Sequence, residues 1–271
     1  MHSYGTFAAY YDALTKNVRY AERAAALDAL IRKWLIEPMP EHILVDLACG
    51  TGSLSEEMAR RGWDVIGIDG SMEMLNEALD KKYDSGLPIQ YLQQDMRALD
   101  LYGTVCVTLC TLDSINHLPS LQDVRRVFER VSLFAEPGGL FLFDVNTAYK
   151  HRNLLGEQCF VYELPDAVCV WQNHLRDEAP EYPVDIQLDF FEQLDGNKYR
   201  RITEQFTERV YADEVIRQLL TETGLKLLET LDGDTYDSPK PESQRLLYIA
   251  GKGNRPPRKL EKCRIPQDVL C

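Results

Sequence analysis

The chain contains no run of about 18 apolar residues, so no membrane-spanning helix is predicted. Its first residues, Met1-His-Ser-Tyr-Gly, lack a basic stretch followed by an apolar core, so no secretory signal is expected. Seven cysteines stand at positions 49, 106, 110, 159, 169, 263 and 271 without a Cys-x-x-Cys pair, which argues against a disulfide framework or a zinc site. Free thiols in a reducing cytoplasm are the expectation. Five scattered histidines include no metal-spaced pair, and no metal is predicted. There is no internal repeat and no low-complexity segment. Positive charge is scarce as well: 30 Lys and Arg against 43 Asp and Glu leave a formal charge of −13, which repels phosphate backbones and makes nucleic acid a poor partner. The exception is the C-terminus. From Lys252 to Cys271 there are six basic and two acidic residues among three prolines, so residues 253–271 are expected to form a basic flexible tail.

At 271 residues the chain suits one large domain, or one domain with an insertion, and can bury a sizeable core. The stretch that organises it is Ile43-Leu-Val-Asp-Leu-Ala-Cys-Gly-Thr-Gly52. Four aliphatic residues with one terminal acid, Asp46, read as a buried strand; the small residues after them read as a tight turn; Ser53 to Arg61 reads as a helix. Gly50 and Gly52 admit backbone angles closed to other residues and let a ligand approach the main chain. The free N–H groups of the helix start favour an anionic group. The next strand, Asp64 to Ile68, is followed by Asp69, seventeen residues after Gly52, where an acid meets ribose hydroxyls. A nicotinamide site would place a third small residue, Gly or Ala, at position 55; Ser55 stands there instead.

Strand and helix go on alternating. A helix is predicted from Ser71 to Lys82, with Met72, Leu75, Leu79 and Met74 inward. Further strands fall at Ile89–Gln93, Thr104–Leu109 and Leu140–Val145, with a helix over Ser120–Phe134 carrying Val124, Val127, Phe128 and Val131 inward. A mostly parallel, doubly wound sheet follows, with ligands beyond the carboxyl ends of its strands. Asp46, Asp69, Asp95 and Asp113 all fall at those ends, and acids crowded on one edge imply that something binds there. After Val145 the pattern becomes period two. Strands over Phe160–Glu163, Val168–His174, Val184–Phe190 and Tyr199–Val210 predict an inserted antiparallel β lid, residues 151–210. The core resumes over 211–252 with a helix, Asp213–Glu222, and strands at Leu225–Leu231 and Arg245–Ala250, the last antiparallel. Ahead of the first strand, a helix is predicted over Tyr20–Ile36, so that residues 1–150 hold the cofactor-binding half under an N-terminal helical cap.

The turn resembles motif I of the class I S-adenosylmethionine-dependent methyltransferases, usually Leu-Asp-Leu-Gly-Cys-Gly-Thr-Gly, with Ala48 for a common glycine. Asp69-Gly-Ser-Met-Glu-Met-Leu, Gln94-Asp95-Met96 and Leu112-Asp113-Ser114-Ile115-Asn116-His117-Leu118 resemble further segments of that family. The resemblance covers roughly residues 4 to 252. It is nearest to bacterial stand-alone enzymes with a β-sheet insertion, and more distant from sugar-amine N,N-dimethyltransferases and glycine N-methyltransferases. It implies S-adenosylmethionine at Asp46, Ala48, Gly50, Gly52, Asp69, Gly70, Met74, Asp95, Met96 and Leu112, with Asp69 on the ribose and Asp95 and Met96 on the adenine. It also implies a leading segment that supplies Tyr11 to the active site and Arg19 to the cofactor carboxylate. Tyr11, Asp113 and His117 are the candidate catalytic residues. The acceptor is expected to be a small molecule, an amine in the first reading. O-methylation of a hydroxyl or carboxylate is the alternative, and a non-catalytic cofactor sensor a further one. Asp185, Asp189 and Glu192 would suit a cationic amine if they faced inward. The expected assembly is a monomer or homodimer.

Overall fold

A computed structural model of the chain describes residues 5–35, 42–176, 178, 181–196 and 198–253; the tail predicted over 253–271, apart from Gly253, and the predicted helix end at Ile36 lie outside them. The order of elements is α1 (Gly5–Leu14), α2 (Tyr20–Trp34), β1 (Ile43–Leu47), α3 (Ser53–Arg60), β2 (Asp64–Asp69), α4 (Met72–Ser85), β3 (Gln90–Gln93), β4 (Val105–Cys110), α5 (Leu121–Phe134), β5 (Ala135–Asn146), α6 (Ala148–Lys150), β6 (Cys159–Glu163), β7 (Ala167–Leu175), β8 (Val184–Gln193), β9 (Tyr199–Glu208), α7 (Asp213–Glu222), β10 (Leu225–Asp232) and β11 (Arg245–Lys252). Seven strands form one sheet in the order β10-β11-β5-β4-β1-β2-β3, and only the pairings of β11 are antiparallel. β6 to β9 form a separate four-stranded antiparallel sheet.

Alternation along β1 shows how the sheet is wound. Leu44 packs with Leu27 and Ile31 of α2 and Met58 of α3 on one face. Val45 and Leu47 pack with Val127 and Phe128 of α5 and Leu219 of α7 on the other. β1 pairs with β2 on one side and β4 on the other, so the chain reverses direction across the sheet there, and the crevice beyond β1 and β4 is where a ligand is expected. Local chemistry sets the helix starts. Ser71 accepts from the Met74 amide at 3.2 Å, and Ser120 accepts from the Asp123 amide at 3.2 Å.

The inward face of α4 differs from the sequence expectation. Met74, Leu75 and Ala78 are buried, whereas Met72 and Leu79 are each 43% exposed. The helix presents its small residue to the glycine turn: a Cβ on Gly52 would lie 3.0 Å from that of Ala78.

The second sheet lays its apolar face on α1. Val184, Ile186, Leu188 and Phe190 of β8 cluster with Phe7, Ala8 and Met74, and Tyr10 stacks on Phe190. Glu192 shares the face of Phe190, pairs with Arg200 and reaches the Tyr10 hydroxyl of α1, but Asp185 and Asp189 face away, tied to Arg176 and Arg201, and supply no inward acidic surface. β9 does. Its register places Glu204 opposite Leu188 and Glu208 opposite Val184, which sets two glutamates on the apolar face. Glu204 accepts from the amides of Thr6 and Phe7 at 2.7 and 2.9 Å, capping the N-terminus of α1 from the opposite end of the chain.

Candidate active site

Two groups of side chains meet at the carboxyl edge of the large sheet. The first surrounds the glycine turn. Ala48, Gly50 and Gly52 all have left-handed backbones, with φ of 60°, 56° and 74°. For Ala48 that conformation carries strain which a glycine would not. Tyr91 of β3 packs beneath the turn, where a Cβ on Gly52 would collide with its hydroxyl. Above the turn lies Tyr11, whose ring is 4.0 Å from where a Cβ on Gly50 would stand. Asp12, one residue on, accepts from the Thr51 hydroxyl at 2.7 Å and so fastens α1 to the turn. Asp69 accepts from the Gly50 amide at 2.9 Å and the Ser71 amide at 2.8 Å, with the Gly70 amide also turned to it. Asp46 accepts from the Ser55 hydroxyl at 2.5 Å. No ion pair reaches Asp46 or Asp69 among the described residues. Burial raises both carboxyls, that of Asp46 to about 6, although the hydrogen bonds lower them.

A bare-backbone turn with one buried and one partly buried carboxylate, neither met by a cation, fits a cationic cofactor such as S-adenosylmethionine, whose ribose hydroxyls Asp69 would hold. The outlying candidates are placed differently. Asp95 stands half-exposed and is held by Arg97, which pulls its carboxyl below the usual range. Met96 packs partly buried against the core below. Met74 sits in the cluster between α1 and the second sheet. Arg19 is exposed, in a surface cleft with Lys16, Arg60 and Lys81. Arg23, one turn further along α2, is the arginine that reaches the sheet edge, with Nη1 3.5 Å from Asp144 and its Nε buried without a partner.

The second group lies beyond β4 and β5. Leu112 and Asp113 are consecutive left-handed residues, φ 59° and 57°. Asp144, wholly buried at the end of β5, holds them there by accepting from their amides at 3.0 and 2.7 Å. Arg245, at the start of β11, donates to Asp144 at 2.6 Å and lies 2.7 Å from Asp113. Burial works against ionisation of Asp113, but Arg245, then Lys150 and His117, hold its carboxyl well below the usual range. Lys150 donates to Asn146 at 2.9 Å; burial, then Arg245, lowers its amine. Asn116 ties the loop together. Its side chain bonds the main chain of Asn146 and Arg209, so the loop after β4, the end of β5 and the end of β9 are locked.

Within this frame Asp113, His117 and Glu208 each aim one acceptor atom at the same space, all within 4.8 Å of one another. Tyr11 faces it: burial, then Tyr20 and Asp113, raises its hydroxyl well above the ordinary value. His174, by contrast, pairs with Glu157 on the surface. The sequence reading brought Tyr11, Asp113 and His117 forward and missed Asp144, Arg245 and Glu208. For Glu208 a signal existed, because acids at 204 and 208 interrupt the apolar face of Ile202, Phe206 and Val210.

Residues 44–139 match the family model for a methyltransferase domain. The methyltransferase-family protein YqeM of Bacillus subtilis (strain 168) is 32% identical over 251 residues, covering 92% of this chain and 97% of the relative. The glycine/sarcosine N-methyltransferase of Halorhodospira halochloris is 26% identical over 78% of this chain and 76% of its own. Among solved structures, an S-adenosylmethionine-dependent methyltransferase from Clostridium acetobutylicum ATCC 824 superposes with a TM-score of 0.79 at 30% identity, over 93% of this chain and 99% of that one. Glycine turn, the acid ending β2 and sheet topology agree with these likenesses: the chain belongs to the class I S-adenosylmethionine-dependent methyltransferases and is an enzyme that uses that cofactor.

Proposed function

We propose that the enzyme methylates the nitrogen of a small-molecule amine in the cytoplasm. The observation that carries the reading is the convergence of Asp113, His117 and Glu208. Three acceptor atoms match the three N–H donors of a primary ammonium, and two carboxylates favour its charge. The similarity to a glycine/sarcosine N-methyltransferase supports the same acceptor class. When bound, S-adenosylmethionine supplies an activated methyl: the acceptor lone pair forms the new N–C bond, and sulfur keeps the electrons of the broken S–C bond. The chain supplies the rest. Asp69 and the glycine turn would hold the cofactor, with Asp95 and Met96 on the side of its adenine. Tyr11 and the second sheet, acting as a lid, exclude water. His117 takes the proton that the acceptor nitrogen must lose, because only the neutral amine has a lone pair to donate. The five described cysteines are free thiols, in keeping with a reducing compartment, and no helix of the described residues is long and apolar enough to cross a membrane.

The test is transfer of labelled methyl to a panel of small amines beside matched alcohols and carboxylates. Turnover confined to amines, with KM raised at least tenfold by Asp113→Asn, is the expected result. Turnover confined to alcohols would replace the amine reading by O-methylation. Intact cofactor binding with no transfer to any acceptor would favour a sensor.

A further inference from the structure

Glu208 enters the site from the second sheet and is buried. Its Oε2 accepts from Asn146 at 2.8 Å and lies 3.4 Å from Nε2 of His151; its Oε1 lies 3.9 Å from Nε2 of His117. His151 follows α6 in a π-helical turn and has no exposed surface. Its Nδ1 is 2.9 Å from the carbonyl oxygen of Tyr182, a residue whose ring lies under the Arg152 guanidinium. A carbonyl only accepts, so Nδ1 carries a hydrogen. A neutral His151 would then turn a bare lone pair of Nε2 toward a carboxylate, and Nε2 has no hydrogen-bond partner. Buried polar atoms are rarely left facing each other without a donor. A single proton resolves the conflict by converting the contact into a charge-assisted pair.

We propose that His151 and Glu208 share one buried proton, and that this pair is the positioning device of the acceptor site, leaving His117 as the imidazole open to the acceptor's proton. The charged groups facing the pair are Asp113 and Lys150, with Arg245 behind them. Asp113 is paired directly with Arg245, and Lys150 is bonded to Asn146 and lies beyond ion-pair distance of Glu208, so among the described residues Glu208 meets no Lys or Arg within that distance. His151 supplies the counter-charge from the core side. Glu208 is then fixed with Oε2 committed to Asn146 and His151 and with Oε1 free toward His117. The acceptor site is thereby completed by a residue of the lid. The role given to His117 rests on the acceptor reading above; the shared proton does not.

The test uses the full chain labelled with 15N-histidine, observed from about pH 6.5 to about pH 8, the range in which an ordinary imidazole loses its charge. Five histidines give a spectrum simple enough to assign. The expected result is that His151 keeps both ring nitrogens protonated across the range, and that Glu208→Gln converts it to the neutral Nδ1–H form with Nε2 at the unprotonated position. A wild-type His151 that is neutral throughout, or one whose state ignores Glu208→Gln, overturns the proposal. If the variant fails to fold, the wild-type spectrum decides alone. Absence of transfer to any amine would leave this spectrum unchanged, so the two failures are separable.

Discussion

Asp46, buried beside the glycine turn, and the partly buried Asp69 are carboxylates that no cation touches among the described residues. Asp113 and Asp144, on the other side of the same edge, share Arg245. The two regions also differ in how far apart in sequence their parts lie. Asp46, Asp69 and the turn between them are held by main-chain amides and one serine hydroxyl from neighbouring residues. Asp144 and Arg245, 101 residues apart, meet through the antiparallel pairing of β5 and β11. The difference teaches which region is waiting for a ligand. The turn region leaves its carboxylates without a counter-charge, as the proposed binding of a cationic cofactor requires. The other region pairs Asp113 and Asp144 with Arg245, while Glu208 has only histidines as charge partners among the described residues.

Opposite charge logic predicts opposite signs for mutation. Arg245→Met should cost about 3–5 kcal/mol of stability, since it strands two buried carboxylates; adding Asp144→Asn should recover part of the loss in urea unfolding. An Arg245→Met protein as stable as wild type would erase the contrast between the regions. Asp46→Asn should instead stabilise the ligand-free protein. Burial raises this carboxyl to about 6, so the folded state holds its proton more tightly than the unfolded chain does. Wild-type stability should therefore fall as pH rises from about 4 to about 6, by about 3 kcal/mol, and stay reduced above that. The variant should lose this slope, melt higher than wild type near pH 7, and bind S-adenosylhomocysteine more weakly. Equal slopes in the two proteins would remove the burial argument for Asp46. The smallest effect belongs to Ala48→Gly. Relief of a left-handed alanine is offset by the extra freedom of glycine in the unfolded chain, for a net gain of up to about 1 kcal/mol; a loss on thermal melting would mean that the methyl group packs usefully.

These regions were unequally legible in the sequence. The cofactor side is written in consecutive residues, because a strand, a turn and a helix start lie within one short stretch and Asp69 ends the adjacent strand. The separate antiparallel sheet was legible too, since period-two alternation survives in any register. The acceptor side was only half visible. Asp113 and His117 sit in one local segment, but Asp144 reads as a polar residue within a strand and Arg245 as the first residue of another. Only the pairing of β11 with β5, which no local spacing encodes, brings them together. The face of α4 was misread for a related reason: Met72 and Leu79 are apolar enough to be core, but the approach of the glycine turn selected Ala78. Arg19 and Arg23 differ by one helical turn, and the orientation of α2 decides which of them reaches the edge.

The cap that Glu204 places on α1 has a consequence for biosynthesis. Thr6 and Phe7 leave the ribosome well before their acceptor, which lies 198 and 197 positions later. At about 5–20 residues per second, that interval is roughly 10–40 seconds. During it, the strands around the glycine turn can emerge and pair while the helix that covers them is held through Asp12, with its N-terminal amides uncapped. The cap on α1 therefore closes only after β9 has been made, and translation itself orders the assembly: the glycine turn and its strands first, the N-terminal end of the covering helix last.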